Sequence, residues 1–256
     1  MTAAALACLL AVFFLAASVS VVTGGTSLIT VPVMVQCGVE PHVAVATNML
    51  ALIFLSLGGT LPFLKDRTIP RTRLPGLIGL TLVASALGAL LLLVVPSRAM
   101  PLVIAAAMIV VAVFSLVNRS AGLVEAAHPP SPGLEAAGYI ATFLLGVYGG
   151  FFSGGYVALL TAAYVAFFRL TFVQAVAITK VLNLFSSLVA TVVFAVQGLI
   201  DWQLALALGG VSFAGALAGA TLARRVGNVW LRRVFLLAVV ALAAKTLFFD
   251  VTWTMP

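Results

Sequence analysis

Lys180, Asn183, Ser187 and Thr191 are spaced three, four and four residues apart, which places them on one face of a helix. Their surroundings are apolar. Lys180 falls about seven residues, or roughly 10 Å, into its segment. An ammonium at that depth costs at least about 2.5–3.5 kcal/mol unless something compensates it. The six acidic residues, Glu40, Asp66, Glu125, Glu135, Asp201 and Asp250, all fall in loops or at segment ends. A bound anion is therefore the expected counter-charge for Lys180. The competing reading is that Lys180 snorkels to an interface while the hydroxyls bond their own helix backbone.

Two glycine-rich breaks supply a second kind of chemistry. Gly24-Gly25-Thr26-Ser27 and Phe152-Ser153-Gly154-Gly155 each precede an abnormally short apolar run. A helix starting after such a break presents free backbone N–H groups and a positive dipole end, which suits an anion, and Thr26, Ser27 and Ser153 add hydroxyl donors. Alternatively, the glycines only allow helices to pack closely. Thr47 and Asn48 of the first half match Thr179 and Lys180 of the second, so their polar groups are expected to converge. His42, after Pro41, stands where Gln174 stands in the second half; it is either a proton-coupling group or a polar cap. His128 is expected to be solvated, and Lys245, near Asp250, to snorkel.

The elements that carry these residues follow from composition. Apolar types make up 64% of the 256 residues and charged types 7%, against about 25% charged in soluble domains. This excludes a water-soluble enzyme and leaves an all-α polytopic membrane protein. Ten apolar segments are expected near 3–22, 26–37, 42–64, 74–95, 99–117, 134–150, 156–168, 173–196, 202–222 and 229–249. They divide into a first repeat, 1–117, a polar linker, 118–133, and a second repeat, 134–256, together forming one membrane domain. The order of long and short segments recurs at a spacing of about 130 residues.

Basic residues set the topology. If every segment crosses, Lys65, Arg67, Arg71, Arg73, Arg119, Arg169, Arg224, Arg225, Arg232 and Arg233 share the cytoplasmic face and Arg98 lies opposite. Five crossings per half invert one repeat relative to the other and leave both termini outside. For segments 2 and 7 to span, residues 22–25 and 149–155 are expected to run extended. Segment 2 crosses by analogy with segment 7. The N-terminal apolar run lacks the basic flank of a cleaved signal.

Other functions lack their marks. The serine among glycines at 150–155 is not a nucleophile elbow, and no histidine falls at core depth. Two histidines and the dispersed Cys8 and Cys37 make no metal site. No phosphate-binding loop appears, and the missing core carboxylates count against a cation exchanger. The net charge of +7 sits in short loops, as topology requires, so nucleic acid is not an expected partner. The expectation is a non-enzymatic protein without cofactor or metal.

The run Gly24-Gly25-Thr26-Ser27-Leu28, Pro32, Gly38-Val39-Glu40-Pro41-His42, Ala46-Thr47-Asn48, Ser56 and Gly59 resembles the first repeat of the TauE/SafE family, the sulfite and sulfonate permeases also called the toluenesulfonate uptake family. Thr179-Lys180-Val181-Leu182-Asn183-Leu184, Ser187, Gly198-Leu199-Ile200-Asp201-Trp202, Gly215, Gly219 and Leu222-Ala223-Arg224-Arg225 resemble its second repeat. The likeness covers nearly the whole chain, although Phe152-Ser153-Gly154-Gly155 departs from the longer pattern of relatives. The resemblance implies an inner-membrane permease that exports a small sulfur oxyanion. Its expected contacts are Gly24, Gly25, Thr26, Ser27, Thr47, Asn48, Ser153, Gly154, Gly155, Thr179, Lys180 and Asn183. The alternatives are a permease for another small solute, such as a carboxylate, and a non-transporting assembly or anchor protein.

Overall fold

The computed structural model describes residues 2–64, 73–100 and 130–222. These residues form helices joined by short turns. In chain order they are α1 (Ala3–Thr23), α2 (Thr26–Gln36), α3 (Pro41–Leu64), α4 (Leu74–Val94), α5 (Pro132–Phe151), α6 (Tyr156–Phe167) and α7 (Phe172–Val196), followed by α8 (Trp202–Leu222). A single 3-10 turn, Ser97–Ala99, follows α4. Among the described residues, six helices are long and apolar enough to cross a membrane, and α2 and α6 are the short ones. Eight of the expected segments therefore stand within a few residues of their predicted bounds. The segments at 229–249 and, past its first two residues, 99–117 lie outside the described residues. So do His128, Lys245 and most of the linker.

Local chemistry fixes the helix starts. The Thr2 hydroxyl accepts from the Ala5 amide at α1, and that of Ser131 from Leu134 at α5. The Asp201 carboxylate accepts from Leu204 at α8. Thr171 and Gln174 form a reciprocal capping box at α7, satisfying two otherwise orphaned amides. Gln174, which matches His42 in sequence, is thus a cap.

The expected extended flanks are absent. Helix α1 continues through Thr23 and α5 through Phe151, so the breaks are the two residues Gly24-Gly25 and the four residues 152–155. At 1.5 Å per residue, α2 and α6 are only about 16–18 Å long, roughly half a hydrocarbon core. Continuing the helix up to the break keeps all carbonyls before its last turn bonded within the chain, whereas an extended strand in lipid would leave them bare. The second break turns a tight hairpin. Gly149 faces the Tyr156 ring, the Thr142 hydroxyl lies 3.0 Å from that of Tyr164, and Tyr139 stacks edge-on against Phe168. Arg73 closes the open end, pairing with Glu135 at 2.6 Å and covering the Phe168 ring.

Cross-links between helices set their directions. Asn183 donates to Ser56 and the Asp201 amide to Thr47, so α3 and α7 run antiparallel. Helix α4 lies along α5, where Ser85 bridges the Gly146 carbonyl and Ser186 of α7. A methyl group at Gly88 would collide with the Val147 carbonyl oxygen, and one at Gly150 with that of Ser85. Gly215 and Gly219 of α8 meet the Phe14 and Ser18 carbonyls of α1 in the same manner. Each contact of this kind replaces a side chain by direct backbone approach, as membrane helices favour.

Gly88→Ala is expected to destabilise the fold by about 1–3 kcal/mol through overpacking. Gly210→Ala, which meets open space, should be neutral or stabilise by up to about 1 kcal/mol. Unfolding of the purified protein in detergent measures both.

Candidate functional site

The two breaks meet. Gly24 ends α1 in the left-handed conformation, with φ of 65°, and its α-carbon lies against Val157 and Ala158 in the first turn of α6. A side chain there would strike the Ala158 amide nitrogen, so conformation and contact both demand glycine. Gly154 in turn lies against Leu28 in the first turn of α2. The N-termini of α2 and α6 thus come together in the interior. Their N-cap residues, Gly25 and Gly155, give no side-chain cap. Ser153 is held in left-handed backbone, with φ of 62°, which for a non-glycine residue stores strain at the tip. Tyr148 hydrogen-bonds the Gly154 carbonyl and braces it.

Side chains from α3 and α7 surround these tips. Asn48 is fully buried; its Nδ2 donates to the Ser27 hydroxyl at 2.9 Å and its Oδ1 accepts from Thr30 at 2.8 Å. Asn183 serves the other tip. Its Nδ2 donates to Ser56 at 2.7 Å and its Oδ1 accepts from Ser153 at 3.4 Å. Lys180 is 1% exposed. Its Nζ donates to the Ser20 carbonyl at 3.1 Å, at the end of α1. The negative end of a helix dipole partly offsets a cation there. An ammonium has three donors, so this contact leaves two for another acceptor. Lys180 therefore does not snorkel out of the fold.

Gly24, Gly25, Thr26, Ser27, Asn48, Ser153, Gly154, Gly155, Lys180 and Asn183 are accordingly gathered around the joined tips. Thr47 is not among them. Its Oγ1 accepts from the Asp201 amide at 3.1 Å and fastens the start of α8. Thr179 bonds Thr161 of α6 and the Val176 carbonyl of its own helix. The pairing of Asn48 with Lys180 also shifts by one. Asn48 binds Thr30 of α2 as Thr179 binds Thr161 of α6, so Asn48 corresponds to Thr179 and Lys180 to Met49. A continuous helix has no place for the one-residue offset that the motif alignment needs. Sequence reasoning missed Ser20, Thr30 and Thr161. The last two had a signal, standing 131 residues apart, as Asn48 and Thr179 do.

His42 lies elsewhere, at the α2–α3 turn. Its Nε2 is 3.0 Å from the Val95 carbonyl and therefore carries a hydrogen. Nδ1 lies 3.1 Å from the Ser97 hydroxyl and 3.2 Å from Glu40. The cluster joins the start of α3 to the end of α4, away from the tips. Burial pushes the Glu40 carboxyl up. Hydrogen bonds from the Val43 amide, His42 and Ser97 outweigh that and hold it below its ordinary value of 4.5.

The family model described as "Sulfite exporter TauE/SafE" matches residues 9–246. A "Probable membrane transporter protein" of Haemophilus influenzae is 26% identical, over 97% of this chain and 96% of its own. "Probable membrane transporter protein ORF9" of a Sinorhizobium species is 28% identical, over 94% and 92%. "Probable membrane transporter protein YfcA" of Escherichia coli K12 is 27% identical, over 93% and 87%. No solved structure matches the chain.

Asn48→Leu strands the Ser27 hydroxyl, leaving Thr30 only its own helix's Thr26 carbonyl, and is expected to cost about 1–3 kcal/mol, read as a lower melting temperature. A depressed carboxyl stabilises the fold above its ordinary pKa and loses that contribution as pH falls through the lowered value. Acid titration of stability should therefore show a limb starting near pH 4.5 and extending below it, which Glu40→Gln flattens.

Proposed function

The chain belongs to the TauE/SafE sulfite exporter family of membrane transporters, and on that premise we propose that it is a secondary permease for a small sulfur oxyanion, sulfite or an organosulfonate. The observation that carries this reading is the meeting of two buried helix N-termini beside an ammonium with no carboxylate partner among the described residues. Backbone amides of α2 and α6 give an anion donors and positive dipole ends, and Lys180 gives it charge. Ser27, whose hydroxyl accepts from Asn48 and so keeps its own proton free, adds a side-chain donor, while Ser153 gives its proton to Asn183. An oxyanion has acceptors on every side, and this arrangement offers donors from both tips.

The proposed architecture has ten segments in two inverted five-segment repeats. Segments 1–2 and 6–7 form hairpins whose tips reach the interior. The antiparallel α3 and α7, and the matched clasps of α4 on α5 and α8 on α1, support it. Alternating access then rocks the two repeats about the joined tips. Short helices do not alter which loops share a face, since each break carries no Lys or Arg. The basic loops thus remain cytoplasmic, the protein sits in the bacterial inner membrane with both termini outside, and the direction of net transport is export.

Sulfite flux into proteoliposomes tests this. Wild-type protein is expected to carry sulfite and Lys180→Ala to lose at least tenfold, with folding of both verified by their melting temperatures. Equal flux in the two would keep the transporter and discard the site. Absence of wild-type flux across sulfite and several sulfonates would overturn the proposed cargo.

A further inference from the structure

Several hydroxyls on these helices are satisfied locally. Ser18, Thr30, Thr142 and Thr221 each turn back to the carbonyl four residues earlier, the usual resort of a hydroxyl in an apolar helix. Besides Thr81 of α4, whose oxygen is also unpaired among the described residues, three do not: Thr60, Ser187 and Thr191. All three are more than nine-tenths buried, and their oxygens have no hydrogen-bond partner among the described residues. A buried hydroxyl that forgoes even its own helix is a standing cost to the fold.

Their positions are matched. With Asn48 set against Thr179, as the equivalent bonds to Thr30 and Thr161 require, Ser56 falls on Ser187 and Thr60 on Thr191. Each of α3 and α7 therefore carries a serine and, one turn further on, a threonine. On α7, Lys180, Ser187 and Thr191 lie within an arc of about 40°, at 100° per residue, over about 16 Å. Because α3 and α7 are antiparallel, the two pairs lead away from the centre in opposite directions. Ser56, which receives the Asn183 amide, leads to Thr60 and the α3 end next to the basic 65–73 loop. Ser187 leads from Lys180 and Asn183 to Thr191 and the α7 end near Asp201.

We infer that these pairs are two access tracks, one to each membrane face, whose hydroxyls hold a small oxyanion and its waters on the way to and from the joined tips. This rests on the transport reading but not on the identity of the cargo. A hydroxyl suits transit, since it can donate to an anion without the charge that would trap it. Matched tracks also give each half of an alternating cycle its own route.

The test is cysteine accessibility, in a background with Cys8 and Cys37 replaced by serine, using a membrane-impermeant anionic methanethiosulfonate. Thr60→Cys is expected to react from the cytoplasmic face only, and Ser187→Cys and Thr191→Cys from the opposite face only. No reaction at any of the three, or reaction of all three from one face, overturns the tracks. The paired variant Ser187→Ala/Thr191→Val gives a second readout. It should keep or raise the melting temperature while sulfite flux falls at least tenfold, and Ser187→Thr/Thr191→Ser should retain flux. Undiminished flux in the first paired variant refutes the track on α7. If wild-type protein carries no sulfite, the labelling pattern still decides the tracks, and only the cargo is lost.

Discussion

Everything in this fold depends on two helix ends being allowed to stop in the apolar interior. A helix start leaves donors without partners, and lipid has none to offer. The chain resolves this by bringing the two starts to each other and ringing them with side chains whose hydrogen bonds are specified. Gly24 on Val157 and Ala158, and Gly154 on Leu28, make the approach close enough that no side chain intervenes. The amides of Asn48 and Asn183 then fix the tip hydroxyls. Remove the approach and the polar ring has nothing to surround.

Lys180 belongs to the same constraint. Its ammonium is tolerable in the interior because α1 ends beside it and offers the Ser20 carbonyl. A neutral acceptor orients the ammonium without discharging it. A carboxylate partner would have satisfied the lysine more fully and would also have removed its capacity to attract an anion. Partial compensation is the state a binding site needs.

Much of this was legible in the sequence. Apolar run length located the eight described helices, since hydropathy is a property of the segment itself. The two breaks were legible because paired glycines before a short apolar run have few other uses in a membrane chain. Lys180 was legible by its depth. The Ser20 acceptor was not, because a backbone carbonyl leaves no mark in the sequence and its partner lies 160 residues away. Thr47 was misplaced for a related reason. Its motif neighbours Asn48 and Lys180 do lie at the tips, but one residue along a helix turns a side chain by about 100°, here toward the α8 start. The extended flanks failed because length was weighed without the cost of bare backbone.

The clasp between α8 and α1 has a consequence for how the protein is made. Phe14 and Ser18 are seated on Gly215 and Gly219, so α1 must wait for α8, about two hundred residues later in the chain. At about 5–20 residues per second, some two hundred residues of synthesis take roughly 10–40 s. Throughout that interval α1 lies in the bilayer with its docking surface open to lipid and to other newly made helices. Maturation of the first half is therefore tied to completion of the second, and a chain arrested before α8 would be recognisable to membrane quality control by the vacant face of α1.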